Sequence, residues 1–221
     1  MTLVVKIGGA VASESADRIL GLHEDGHAVV VVHGAGLQIT EEMQVRGIPV
    51  EFVGGRRHTT AEALEIVRES LRAVNRDLCS RLGDLAVPVF GDSAGLLAEH
   101  MPALGRVGNP LPCRPQPILD ALAAGRVPVV APLGVGPLNV NADDAAAALA
   151  VGLGAQRLLF LTDVPGLLVD GRLVASIRAD EATRMLDADE FEGGIVPKLR
   201  AAVQAAVRGV NAEIGETAVL G

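Results

Sequence analysis

Short runs of consecutive apolar residues alternate along this chain with stretches whose apolar positions recur every three or four residues. A run that is apolar at successive positions suits a strand buried on both faces, and the longer period suits a helix with one buried face. The runs predict strands at Leu3–Ile7, Ala28–Val32, Val127–Ala131 and Leu158–Thr162. The helical period predicts Ser13–Leu22, Gln38–Arg46, Ile118–Ala124, Ala142–Val151, Glu181–Leu186 and Lys198–Val207. The clearest helix is Ala61–Leu82, with Leu64, Val67, Leu71, Val74 and Leu78 along one face. Val87–Val107, with its Gly-Asp and Ala-Gly turns, predicts short strands or hairpins. Leu167–Val169 and Leu173–Ile177 flank Asp170-Gly171, a turn pair of the type I′ kind. Strands alternating with helices predict an α/β fold around a mainly parallel sheet covered on both faces.

Composition narrows the classes of function. At 221 residues the chain can form one large α/β domain or two lobes sharing a sheet. No apolar run reaches the roughly 18 residues that span a bilayer. The first strand begins at once and carries Lys6, with no apolar segment or small-residue cleavage site, so no signal peptide and a cytoplasmic location are expected. A net charge of −8 argues against a nucleic-acid partner, because phosphate neutralisation needs a basic patch. Arg56-Arg57 and Lys198…Arg200 are small basic clusters of a size for one anionic small molecule. Cys79 and Cys113 lack a C-x-x-C spacing and have no histidines at ligand spacing, so neither a metal site nor a disulfide framework is expected.

Four segments stand out chemically: Lys6-Ile7-Gly8-Gly9, His33-Gly34-Ala35-Gly36, Asn139-Val140-Asn141-Ala142-Asp143 and Gly193-Gly194-Ile195-Val196-Pro197-Lys198. Two of them follow buried-strand runs and empty directly into glycines. Glycine lets the backbone approach a ligand and aim its N–H groups at it, and a following helix N-terminus adds a positive dipole. A lysine near each end of the chain then suits a polyphosphate whose charge is spread during transfer. Each segment also has a plainer reading. Lys6 can be a snorkelling side chain, His33–Gly36 an ordinary βα turn with a structural histidine, and Asp143 a helix cap. Arg57 can be a solvated charge beside Arg56, or a bidentate clamp on a substrate carboxylate. If both lysines converge, an aspartate between them keeps both charged. A lysine in a first helical turn opposes the macrodipole, which points to an anion in front of Lys198.

With these residues in place, the chain resembles the amino-acid kinase family nearly end to end. The matching stretches are Val5–Gly9, His33–Gly36, Phe52–Glu65, Asn75–Leu82, Val127–Gly136, Asn139–Ala150, Leu161–Leu168 and Gly193–Ala202. The most specific are Asn-x-Asn-Ala-Asp and Thr-Asp-Val-Pro-Gly-Leu. The resemblance implies a three-layer αβα sandwich, with residues 1–134 as the acceptor lobe and 135–221 as the nucleotide lobe on one continuous sheet. It implies that Lys6 and Lys198 stabilise the transferring phosphoryl group and that Asp143 holds both ammonium groups. Gly8, Gly9 and Gly36 would be phosphate-binding; Arg57, Asn139, Gly34 and Ala35 would be acceptor-binding. Thr162, Asp163, Gly166 and Lys198 would line the nucleotide site. ATP would be the phosphoryl donor, with Mg2+ held mainly by its phosphates.

Within the family the resemblance is strongest to the branch that phosphorylates the side-chain carboxylate of N-acetyl-L-glutamate, giving an acyl phosphate in arginine biosynthesis. A carboxylate is already an anion near neutral pH, so this transfer needs no general base. The alternatives are a sister kinase acting on glutamate or aminoadipate borne by an acidic carrier protein, and a non-catalytic nucleotide sensor. Relatives of this kind commonly form homodimers through the long helix, here Ala61–Leu82. Several positions depart from the family pattern. Ala35 stands where a third glycine is usual, which a negative φ would tolerate. Arg57-His58-Thr59-Thr60 replaces Arg-Val-Thr-Asp, and Val87–Val107 is short. No extension of the kind found in arginine-inhibited relatives precedes Leu3, so arginine feedback is not expected.

Overall fold

The computed structural model describes residues 1–8, 12–162 and 164–221. The chain opens with β1 (Thr2–Ile7), α1 (Ala12–Glu24), β2 (Ala28–His33) and α2 (Gly36–Val45), and then a two-residue hairpin of β3 (Phe52–Val53) and β4 (Arg56–Arg57). The long helix α3 (Ala61–Leu82) follows, capped by Thr60, whose side chain accepts the Ala63 N–H. Next come β5 (Ala86–Phe90), α4 (Gly91–Ala94), β6 (Ala98–His100), β7 (Val107–Pro110), α5 (Gln116–Ala123) and β8 (Val127–Ala131). After β9 (Leu133–Gly134) and β10 (Leu138–Val140), α6 (Ala142–Leu153) leads into β11 (Arg157–Leu161). The remainder is β12 (Leu168–Val169), β13 (Arg172–Leu173), β14 (Ser176–Arg178), α7 (Ala179–Asp187), α8 (Ile195–Ala206), β15 (Asn211–Ile214) and β16 (Thr217–Leu220).

Among the described residues, eight strands form one sheet in the order β14-β16-β15-β11-β1-β2-β8-β5. Every neighbouring pair is parallel except β15 with β16, so the sheet is mainly parallel as expected. Alternation along the central strands separates two cores. Val4, Val30, Val32 and Val130 pack with α5, α6, α7 and α8, while Val5, Val29, Val31 and Val129 pack with α1, α2 and α3. The result is the three-layer αβα sandwich. The chain leaves β1 by α1 on one face to reach β2, and it enters β11, on the other side of β1, from α6 on the opposite face. Such a reversal opens a crevice at the carboxyl ends of the strands, where Ile7, His33 and Leu161 end β1, β2 and β11.

A smaller sheet, β6-β7-β10-β9, lies apart from the large one. The Val87–Val107 expectation is therefore met only in part. β5 joins the edge of the large sheet, and only β6 and β7 pair antiparallel as a hairpin would. The Asp170-Gly171 turn does have positive φ at both residues, 50° and 73°. Its second strand is shorter than predicted: β13 stops at Leu173, and Ser176–Arg178 joins the large sheet beside β16 instead. The hairpins β3–β4 and β15–β16 were not among the predicted elements. The first turns on Gly54 and Gly55, with φ of 56° and 78°, values that glycine adopts without strain. Helix α8 begins at Ile195 rather than Lys198, which places Lys198 one turn inside the helix.

Candidate functional site

At the carboxyl end of β1, Lys6 is only 5% exposed. Its Nζ lies 2.7 Å from Asp143 Oδ1 in the first turn of α6. That contact is a charge pair off the hydrogen-bond axis, since Oδ1 is buried and accepts no hydrogen bond among the described residues. The helix cap is Asn141, not Asp143: its side chain accepts the N–H groups of Asp143 and Asp144 at 2.8 and 3.1 Å. Asp143 is therefore free of capping duty and is presented to Lys6 by a fixed first turn. Burying an ion pair costs desolvation that an apolar pair would avoid, so its presence at a strand end marks a functional position rather than a stabilising one.

Lys6 and Asp143 line a cavity of about 530 Å3 together with Lys198. Lys198 Nζ donates to Gly194 O at 3.1 Å, one turn back along α8. Lys198 also lines a second cavity, of about 450 Å3, with Thr162, Gly166, Leu168 and Phe191. One ammonium group thus stands where two cavities meet. Gly166 is required there for space, because a Cβ would lie 2.5 Å from Thr217 Oγ1 and 2.8 Å from Leu173 Cδ1.

Gly8, Gly34, Ala35 and Gly36 all line the first cavity. Gly8 and Gly34 donate their N–H groups to Leu161 O (3.4 Å) and Ile7 O (3.2 Å), extending the parallel ladders past the strands. Gly36 opens α2, where the helix supplies no internal acceptor for its N–H. Ala35 has φ of −145°, a value open to any residue, so the departure from glycine is accommodated. Gly9 and Asp163 lie outside the described residues.

His33 is 1% exposed, and burial pushes its pKa down to about 4. Asn75 Nδ2 contacts its Nε2 at 3.1 Å and also donates to Val129 O at 2.8 Å, while Nδ1 faces Gly34 O at 3.4 Å. This pattern suits a neutral ring with its proton on Nδ1, tying β2, β8 and α3 together. His33 is the structural histidine of the plainer reading.

Arg57 is buried rather than solvated, and its guanidinium stacks 4.6 Å from the Phe52 ring centroid. Its Nη2 donates to Gly36 O at 3.1 Å and Thr40 Oγ1 at 2.7 Å, and its Nη1 faces Met43 Sδ at 3.4 Å. Both two-pronged faces of a guanidinium share Nη2, so a bidentate grip on a carboxylate would require Arg57 to release Gly36 or Thr40. Asn139 lines the same cavity and donates from Nδ2 to Thr59 Oγ1 at 2.9 Å; Thr59 in turn donates to Arg57 O at 2.8 Å. Thr59 and Asn75 fall in stretches that match the family, but the sequence gives neither of them a role. Their polar side chains inside or just before a long helix carry no signal until their partners are known.

The family model described as "Amino acid kinase family" matches residues 1–215. An acetylglutamate kinase from Rubrobacter xylanophilus is 44% identical over 222 residues, covering 96% of this chain and 88% of that protein. One from Geobacillus stearothermophilus is 39% identical, covering 92% and 85%. Among solved structures, smu.665 from Streptococcus mutans superimposes with a TM-score of 0.91 at 26% identity, covering 99% of this chain and 98% of that one. Carbamate kinase from Giardia lamblia, at 15% identity and a TM-score of 0.73 over 99% of this chain and 98% of its own, shares the fold. The chain belongs to the amino acid kinase family.

Proposed function

We propose that this protein transfers the γ-phosphoryl group of ATP to the side-chain carboxylate of N-acetyl-L-glutamate, a step of arginine biosynthesis in the cytoplasm. The observation that carries the reading is the meeting of two cavities at Lys198, with the Lys6–Asp143 pair in the wall of one of them. The acetylglutamate kinases at 39–44% identity supply the acceptor. In this reading residues 1–134 form the acceptor lobe and 135–221 the nucleotide lobe. The acceptor occupies the larger cavity, near Arg57, Asn139 and the Gly34–Gly36 turn. The nucleotide occupies the smaller, beside Thr162 and Gly166, and Asp163 is assigned to the same site from its place in the sequence.

The acceptor carboxylate oxygen attacks the γ-phosphorus as the bond to the β–γ bridging oxygen breaks, and ADP leaves with that electron pair. Lys198 from one end and Lys6 from the other offset charge on the equatorial oxygens, while Asp143 keeps the Lys6 ammonium in place. Gly36 presents its backbone N–H at the head of α2, where the helix dipole adds positive potential, and in this reading Gly8 and Gly9 belong to the same phosphate-binding set. No His, Cys, Asp and Glu cluster of three or more suited to a metal occurs among the described residues. Magnesium would be held mainly by the nucleotide phosphates and would supply charge neutralisation there. The test is ATP-dependent formation of an acyl phosphate, trapped with hydroxylamine, with N-acetyl-L-glutamate as acceptor. A hydroxamate in stoichiometry with ADP supports the reading. MgATP binding without hydroxamate overturns it in favour of a carrier-bound acceptor or a nucleotide sensor.

The proposal includes a homodimer. One exposed side of α3 carries Glu62, Glu65 and Glu69, the last paired with Arg46, followed by Arg72 and Arg76. Two copies crossing antiparallel would set acid against base. Sedimentation should return twice the 22.7 kDa chain mass, and a monomer at micromolar concentration would remove this part of the reading.

A further inference from the structure

Arg56 and Arg57 are neighbours on β4, yet their side chains find different partners. Arg57 reaches Gly36, Thr40 and Met43, whereas Arg56 reaches across to β7 and α6. Its Nη2 donates to Asp144 Oδ2 at 2.7 Å and Asn109 Oδ1 at 3.0 Å, two fixed acceptors that anchor the plane of the guanidinium. Asp144 is itself buried and held by the Asn141 cap, so the anchor is rigid. The Nε of Arg56 is buried without a partner among the described residues, Nη1 makes no hydrogen bond among them, and the residue lines the cavity. Arg57, meanwhile, has spent both hydrogens of its Nη2 on the protein. A carboxylate entering this cavity cannot be gripped two-pronged by Arg57 alone without breaking those bonds.

We propose that Arg56 is a second, specificity-determining guanidinium of the acceptor subsite: anchored by Asp144 and Asn109, it offers Nη1 to the non-reacting carboxylate of the acceptor beside Arg57. The inference rests on the acceptor chemistry proposed above and deepens it. Two arginines giving one N–H each replace one arginine giving two. Acceptors with a second carboxylate are favoured over those with only the reacting one.

The experiment compares N-acetyl-L-glutamate with 4-acetamidobutanoate, the same molecule without its α-carboxylate, for the wild type, Arg56→Gln and Arg56→Lys. The readout is kcat/KM, or the inhibition constant where an acceptor does not turn over. Losing one charge-assisted hydrogen bond should lower kcat/KM for N-acetyl-L-glutamate about tenfold or more, with KM for ATP within about twofold. For 4-acetamidobutanoate both variants should match the wild type. Arg56→Lys keeps a charge beside Asp144 but cannot serve Asp144, Asn109 and the cavity together, so it should show the same loss of selectivity while melting closer to the wild type. An equal loss on both acceptors would assign Arg56 a structural role and overturn the inference, as would no loss on either. A wild type that leaves N-acetyl-L-glutamate unphosphorylated would overturn the proposed function and this inference with it.

Discussion

Lys6 and Lys198 carry the same charge in different settings, and the difference sets what their removal does. Lys6 is enclosed with Asp143, so Lys6→Ala leaves a buried carboxylate without its counter-charge, a loss on the order of 3–5 kcal/mol. Lys198 is half-buried at the junction of two cavities, and Lys198→Ala should melt close to the wild type. Both variants should lose turnover by about 10²–10³-fold, the size of effect seen when one group stabilising transition-state charge is removed. Steady-state kinetics beside thermal melts separate the two, and wild-type turnover in either variant would take that residue out of the mechanism. His33 makes a prediction of another kind. Its folded pKa, about 4, is below the ordinary 6.5, so between those values the unfolded chain binds a proton that the native protein does not. Its contribution is fully present above pH 6.5 and is lost as pH falls toward 4, amounting to about 2 kcal/mol between pH 7 and pH 5. Urea unfolding at both pH values should show this slope in the wild type and a flatter one in His33→Asn. Equal slopes would contradict the assignment.

At the scale of elements, what could be read from the sequence depended on how each element is buried. β1, β2, β8 and β11 lie inside the sheet with both faces covered, so their apolar runs are continuous and stand out. β15 and β16 were missed because polar side chains interrupt the pattern. Glu213 faces Arg157 in a two-pronged ion pair at 3.0 and 2.7 Å, and Thr217 donates to Val174 O and accepts the Leu167 N–H. A two-residue strand such as β3 or β4 has no period to detect. The site shows the same division. Lys6 and Asp143 lie in recognisable segments and are brought together, but Arg56 shows in the sequence only as one half of a small basic cluster, because its partner Asp144 is 88 positions away. The N-terminus of α6 offers an element-level test. Asn141→Ala removes the acceptor for two N–H groups, so it should cost about 1 kcal/mol and lower kcat by releasing the turn that holds Asp143. Asn141→Asp, which restores a capping oxygen, should recover the stability. An Asn141→Ala variant with wild-type melting and kcat would show that the cap does not position Asp143.

For the whole molecule, the eight-stranded sheet fixes where chemistry can occur. Parallel strands bring Lys6, His33 and Leu161 to one edge, and the reversal at β1 leaves a crevice there. The small sheet and the β3–β4 hairpin supply Asn139, Arg56 and Arg57 to one side of that crevice, and α8 supplies Lys198. In the proposed transfer a carboxylate oxygen of the acceptor becomes bonded to the γ-phosphorus, and isotope labelling follows that oxygen. N-acetyl-L-glutamate labelled with ¹⁸O in its side-chain carboxylate is incubated with MgATP and enzyme, and the product is cleaved with hydroxylamine. Hydroxylamine attacks the acyl carbon and leaves the phosphorus–oxygen bond intact. The released phosphate should carry one ¹⁸O atom per molecule. Unlabelled phosphate would mean that water, not the carboxylate, takes the phosphoryl group, and would contradict the proposed transfer.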